Sequence, residues 1–156
     1  MNEEVKKKKL ANERRTGPHR VRMDGWIACS PFERLLNIQI VEAVDGKSVL
    51  KMPFYYDYAQ GNGFMHGGAL VGLADTSIVM AIKSLVPPGT LLFTESLEVR
   101  FLHAVKNGTV TANAAIIAQE GSKLFGKATL YNSGMTPVLE VKAVFKVNTD
   151  KKIVKT

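Results

Sequence analysis

The sequence predicts an α+β domain in which an antiparallel sheet packs against one segregated, buried helix. Three observations carry that prediction. Ala69 to Leu85 is apolar nearly all round, two strand-like runs precede it, and four follow it. A length of 156 residues suits one compact domain. The 46% hydrophobic content is enough for a core and excludes a disordered chain.

The elements follow in order. Residues 1–22 are polar and charged without sustained apolar periodicity, and read as a mobile or loosely helical basic extension. After it, apolar residues between Trp26 and Leu36 fall at helical spacing, and Pro31 behind Ser30 marks the start of a short helix. Ile38–Ala43 and Ser48–Pro53 read as two strands joined by a turn at Asp45-Gly46. Residues 57–68 are loop-like, with Gly61, Gly63, Gly67 and Gly68. The buried helix comes next and ends at Pro87-Pro88-Gly89. In the first strand behind it, Leu97, Val99 and Phe101 alternate with Glu98 and Arg100. Val110–Ala118 is small and apolar on both faces, and Leu124–Tyr131 follows a turn at Glu120-Gly121-Ser122. Leu139, Val141, Ala143, Phe145 and Val147 give the cleanest period of two in the chain. The domain is expected over 23–147, with 148–156 a basic tail.

The formal net charge of +7 divides unevenly: +5 over residues 1–22, −1 over 23–145 and +3 over 146–156. The basic balance therefore belongs to the ends, and the body has no basic stripe with interleaved aromatics that would suit nucleic acid. The most apolar stretch is interrupted by Asp75, Thr76 and Ser77 and falls short of the ~18–20 residues of a membrane helix, so no membrane partner is expected. The lysine run has no apolar segment behind it, unlike a secretory signal. A single cysteine, Cys29, permits no internal disulfide and fits the reducing cytoplasm. His19, His66 and His103 are scattered, so no metal site is expected.

The chemistry is concentrated between Gln60 and Asp75. Gly61-x-Gly63-x-x-His66 lacks the third glycine of a dinucleotide fingerprint, and no βαβ unit follows it. His66-Gly67-Gly68 instead sits where the chain enters the buried helix, where backbone N–H groups lack intrahelical partners and favour developing negative charge. An ordinary glycine-rich helix start fits the same letters. Asp75 lies among Leu, Ala, Val, Ile and Met, where an unpaired carboxylate costs several kcal/mol. Burial there would raise its pKa toward the range of a general base. A hydrogen bond to Thr76, Ser77 or a loop amide, or a place on a solvated patch, is the structural alternative. His66 and Asp75 are nine positions apart, half a turn out of phase and about 13 Å along a helix axis. A pair acting on one atom would come from two chains.

Gln60-x-x-Gly63-x-x-His66-Gly67-Gly68 followed by Leu73-Ala74-Asp75-Thr76 resembles the hotdog-fold acyl-CoA thioesterases, specifically the PaaI-like branch. The resemblance extends from Ser30 to Val147 and includes the order of elements. It implies a sheet wrapped around one central helix, a homodimer or homotetramer, a CoA thioester as substrate and no cofactor. It assigns Asp75 as nucleophile or general base and the Gly67 N–H as the donor polarising the thioester carbonyl, and places His66 near the thioester or leaving thiol. Gln60 stands where the family often has asparagine, with Asn62 as an out-of-register substitute. Thr94 matches a hydroxyl residue that orients water. Coenzyme contacts are implied for Gly68, His103, Lys106, Gly121, Ser122 and Lys123, with the two lysines meeting phosphates. A non-catalytic acyl-CoA-binding module is the second reading, and a hotdog dehydratase a third within the fold. Cys29 has no histidine near it in sequence and makes a poor nucleophile.

Overall fold

The computed structural model describes residues 2–149 and 152–154. Of the tail expected at 148–156, residues 150, 151, 155 and 156 lie outside the described residues. The extension contains a helix, α1 (Glu3–Glu13), followed by irregular chain to residue 30. Then come α2 (Pro31–Leu35), β1 (Gln39–Val44), β2 (Lys47–Pro53), a 3₁₀ turn at Tyr56–Tyr58, α3 (Gly67–Lys83), β3 (Leu92–Phe101), β4 (Thr109–Glu120), β5 (Lys123–Tyr131) and β6 (Pro137–Val147). No helix among the described residues is long and apolar enough to cross a membrane.

The six strands form one antiparallel sheet in the order β1-β2-β4-β5-β6-β3, with α3 packed against it chiefly on β2, β4 and β5. This is the α+β arrangement predicted, and it is the hotdog architecture. Ser30 precedes α2 in extended conformation, with Pro31 at the first helical position, as its sequence signal requires. Asp45 (φ 50°) and Gly46 (φ 75°) are both left-handed, the geometry of a two-residue hairpin turn. Leu73, Ile78 and Ile82 of α3 meet Leu50, Val110, Leu124 and Phe145 of the sheet in a fully buried core. The helix sits so close to β5 that a Cβ on Gly126 would lie 2.7 Å from Ile78 Cγ2, so only glycine passes there.

β3 departs from its sequence pattern. Leu97 and Val99 are half-buried, but Phe101 on the same face is 61% exposed; Phe93, at the other end of the strand and beside Lys146 on the opposite face, is also 61% exposed. β3 is an edge strand, paired only with β6 and lying at the margin of the helix. Its alternation therefore marks a face that this one chain leaves largely uncovered.

Candidate active site

The helix start is built by His66. Its backbone is extended (φ −61°, ψ 132°), and its Nδ1 accepts a hydrogen bond from the Gly68 N–H at 2.8 Å. That is a side-chain N-cap; with Nδ1 accepting, the ring proton sits on Nε2. The cap occupies Gly68 and leaves the Gly67 N–H without an acceptor among the described residues. The Phe101 ring lies over Gly67, where an added Cβ would come 3.0 Å from Cε1. The preceding loop is closed on itself: the Met65 N–H donates to the Val105 carbonyl at 2.9 Å and the His66 N–H to the Tyr58 carbonyl at 2.7 Å. The Gln60 carboxamide oxygen accepts from the Asn62 N–H within the loop, so these two predicted residues bond each other.

Asp75 occupies the outer stripe of α3, half-buried. Its partner is neither Thr76 nor Ser77 but Thr94 of β3, whose Oγ1 donates to Oδ1 at 2.8 Å. The Ser77 hydroxyl donates instead to the Ala74 carbonyl at 2.7 Å. A bulge produces the Thr94 contact. Thr94 pairs with Phe145 and Ser96 with Val144, leaving Glu95 as the extra residue. Uninterrupted alternation would put Thr94 on the face opposite Leu97 and Val99; the bulge returns it to the helix side. Burial is the main cause of an Asp75 pKa raised above the ordinary carboxylate value, the Thr94 hydrogen bond opposes it, and the charge of Glu33 adds to it.

The predicted coenzyme contacts separate into two groups. His103 and Lys106 line a surface cavity of about 540 Å³ with Asn107, Asn132, Ser133, Gly134 and Thr136. His103 Nδ1 donates to the Pro137 carbonyl at 2.9 Å, which leaves Nε2 as an acceptor. Gly121, Ser122 and Lys123 sit in the β4–β5 turn at the other end of the sheet, where Lys123 Nζ pairs with Glu95 Oε1 at 3.1 Å. Lys123 is therefore paired with a carboxylate on the bulge.

The predicted site residues thus fall into two separate groups. One, at the Phe101 end of β3, holds Gln60, Asn62, His66, Gly67, Gly68, His103 and Lys106; the other holds Asp75, Thr94, Gly121, Ser122 and Lys123. Thr94 to Phe101 spans seven residues, about 23 Å of strand, and Gly67 to Asp75 about 12 Å of helix.

Sequence reasoning missed a polar latch at the end of α3. Trp26 Nε1 donates to the Lys83 carbonyl at 3.0 Å, Lys83 Nζ donates back to the Trp26 carbonyl at 3.1 Å, and that ammonium lies 4.6 Å from the Trp26 ring centroid. The helical spacing of Trp26 and Leu36 signalled an apolar face, but nothing in it signalled a polar latch. Cys29 donates to the Ile38 carbonyl at 3.3 Å, and burial pushes its thiol pKa up, the reverse of an activated nucleophile. Among the described residues no group of three His, Cys, Asp or Glu is placed to hold a metal ion.

Residues 62–138 match the family model described as Thioesterase superfamily. The esterase-designated ComA2 protein of Bacillus subtilis (strain 168) is 37% identical over 81 residues, 51% of this chain and 64% of ComA2, so under two thirds of that relative is spanned. The 1,4-dihydroxy-2-naphthoyl-CoA hydrolase of Listeria monocytogenes serotype 1/2a (strain 10403S) is 27% identical over 86 residues, 55% of this chain and 70% of the relative. The structure of the E. coli PaaI protein from the phenylacetic acid degradation operon superposes with a TM-score of 0.70 at 23% identity, covering 77% of this chain and 86% of that one.

Proposed function

We propose that this chain, whose residues 62–138 match the Thioesterase superfamily model, is a hotdog thioesterase that hydrolyses an acyl-CoA thioester at a site shared by two subunits. The observation that carries the reading is Asp75: a half-buried carboxylate with a raised pKa, oriented by Thr94 on a helix that otherwise buries apolar groups. Asp75 takes a proton from water as the water oxygen bonds to the thioester carbon. The carbonyl oxygen becomes negative at the Gly67 N–H, a donor fixed by the helix start and aided by its dipole. Collapse breaks the carbon–sulfur bond, and the proton held by Asp75 passes to the departing CoA sulfur. Direct attack by Asp75, through an anhydride that water then opens, uses the same groups. These steps need no cofactor.

One chain separates Gly67 from Asp75, whereas a two-fold axis through the β3 edge would bring one subunit's Phe101 end against its partner's Thr94 end. The exposed Phe93, Phe101 and Leu91 along that edge favour such a pairing. In it, the His103 and Lys106 cavity would take the coenzyme phosphates, and the motif from Gln60 to Asp75 favours the PaaI-like branch. The lone half-buried Cys29 suits a reducing cytoplasm. The test is a panel of aromatic, short-chain and branched acyl-CoA esters with free thiol measured. Release from at least one ester is expected; uniform failure overturns the reading. The closure of Gln60 onto Asn62 favours a second reading, an acyl-CoA-binding module, which tight binding without thiol release would establish.

Thr94→Val removes the donor to Asp75 without changing side-chain size. Loss of a hydrogen bond to a charged group should lower kcat/KM roughly tenfold or more. Because that bond holds the Asp75 pKa down, the acid limb of the pH–rate profile should also move to higher pH.

A further inference from the structure

The outer face of the sheet, turned away from α3, has a charge pattern that folding alone does not ask for. On β5 the alternation is unbroken: Leu124, Gly126, Ala128 and Leu130 are buried toward the helix, so Lys123, Phe125, Lys127, Thr129 and Tyr131 point outward. Lys142 and Lys146 of β6 and Lys47 and Lys51 of β2 are exposed on the same side. These lysines are spread from position 47 to 146, so the linear order shows no basic stripe. The register assembles one.

Lys47 pairs with Ala115, Ala115 with Lys127 and Lys127 with Lys142, a row across four strands that spans about 14 Å. About 13 Å further along β5, Lys123 faces Lys146 in the same way. Like charges directly opposite on one face destabilise a sheet, and β5 and β6 carry two such pairs. Carboxylates stay at the β3 margin. Glu95 pairs with Lys123 at 3.1 Å and Glu140 with Arg100 at 3.8 Å, while Glu98 stands opposite Lys142 in the register. The outward positions of β2, of β5 and of β4 as far as its bulge at Ile116 hold no acid. Among the described residues Lys47, Lys51, Lys127 and Lys146 form no ion pair.

We propose that this face binds single-stranded nucleic acid, the strand running along β5. Phe125 and Tyr131 stack bases, and Lys47, Lys127, Lys142 and Lys146 meet phosphates. Phe125 lies about 7 Å from Lys127 along the strand, so a stacked base and its own phosphate have partners on one element. Because both rings are half-buried, they do not project as an apolar anchor into a bilayer must. An acidic polypeptide would engage the lysines and leave the interleaved rings without a role. The proposal does not rest on the hydrolysis: Asp75 lies on α3, behind the sheet, and pairing through the β3 edge would extend the sheet in its own plane and leave this face open.

Fluorescence anisotropy of a labelled oligouridylate with the full chain, read between about 50 and 200 mM salt, tests the proposal. Binding that weakens with salt is expected, with competition by unlabelled oligothymidylate and none by vesicles of phosphatidylserine and phosphatidylcholine. Lys127→Gln combined with Lys142→Gln should lower the slope of log affinity against log salt by about 1.4, the loss of two phosphate contacts on a single strand. The same double variant should raise the melting temperature of the free protein, because it removes a facing pair of like charges. Phe125→Leu keeps an apolar side chain and removes the ring; it should weaken binding roughly tenfold with the salt slope unchanged. Replacing Lys6, Lys7, Lys8 and Lys9 with glutamine separates the face from the basic extension. Loss of binding in that variant, with the Lys127 and Lys142 double variant binding like the wild type, would overturn the proposal. So would an absence of salt-dependent binding at the lowest salt, wild-type affinity in Phe125→Leu, or capture by the vesicles in preference to the oligonucleotide.

Discussion

Replacing Asp75 with asparagine is expected to lower turnover about 10²–10⁴-fold, the range for loss of a positioned general base, while the melting temperature at neutral pH rises. The two effects share one origin. Burial raises the pKa of Asp75 in the folded state, so the fold prefers this carboxyl protonated. For an acid shifted upward, the folded chain binds more protons than the unfolded chain between the two pKa values, and stability falls as pH rises through that window. Above the folded pKa the whole penalty is present; below the unfolded value there is none. Asparagine keeps an oxygen that can accept from the Thr94 hydroxyl and carries no charge, so it removes the penalty. Thermal melts of the two proteins should therefore differ at pH 7 to 8 and converge near pH 3. A lowered melting temperature across the whole range would show Asp75 to be a structural acid, and near-wild-type hydrolysis would remove it from the mechanism.

The parts of this molecule legible in the sequence are those encoded by short-range periodicity and turn chemistry. Pro31, Asp45-Gly46 and the proline pair at 87–88 mark boundaries through their backbone preferences, and α3 is marked by an apolar run that only burial explains. Asp75 stood out by the same logic, as a charge where the run predicts none. What stayed hidden depends on contacts between elements. The bulge at Glu95 reverses the face of Thr94, and a count of alternating residues cannot register one extra residue. Lys123 reads as a free loop lysine until Glu95 is brought beside it. Glu33 looks like one more surface charge on a five-residue helix, yet its Oε2 is buried. The separation of the predicted residues into two groups was half legible: helix geometry separated His66 from Asp75, but only the sheet order shows an exposed edge strand between the two groups.

Gly67→Pro is expected to lower kcat about 10²–10³-fold relative to Gly67→Ala, the effect of deleting one donor to a developing oxyanion. The comparison isolates the N–H. Gly67 is the first residue of α3, where proline is favoured because its missing N–H has no intrahelical partner. His66 already has the extended backbone (ψ 132°) that a residue before proline adopts. Both substitutions place a Cβ 3.0 Å from the Phe101 ring, and that ring is exposed enough to swing aside. Alanine therefore carries the steric cost alone, and proline carries it together with loss of the donor. The same variant decides where the site is assembled. Mixing inactive Gly67→Pro subunits with inactive Asp75→Asn subunits by unfolding and refolding should restore about a quarter of wild-type activity. Half of the dimers are then hybrids, and each hybrid has one site with both groups intact. A site contained in one chain regains nothing on mixing, because every chain lacks either the donor or the base. Recovery in the mixture, with none in either parent refolded alone, would demonstrate that Gly67 and Asp75 act on one thioester from opposite sides of the β3 edge.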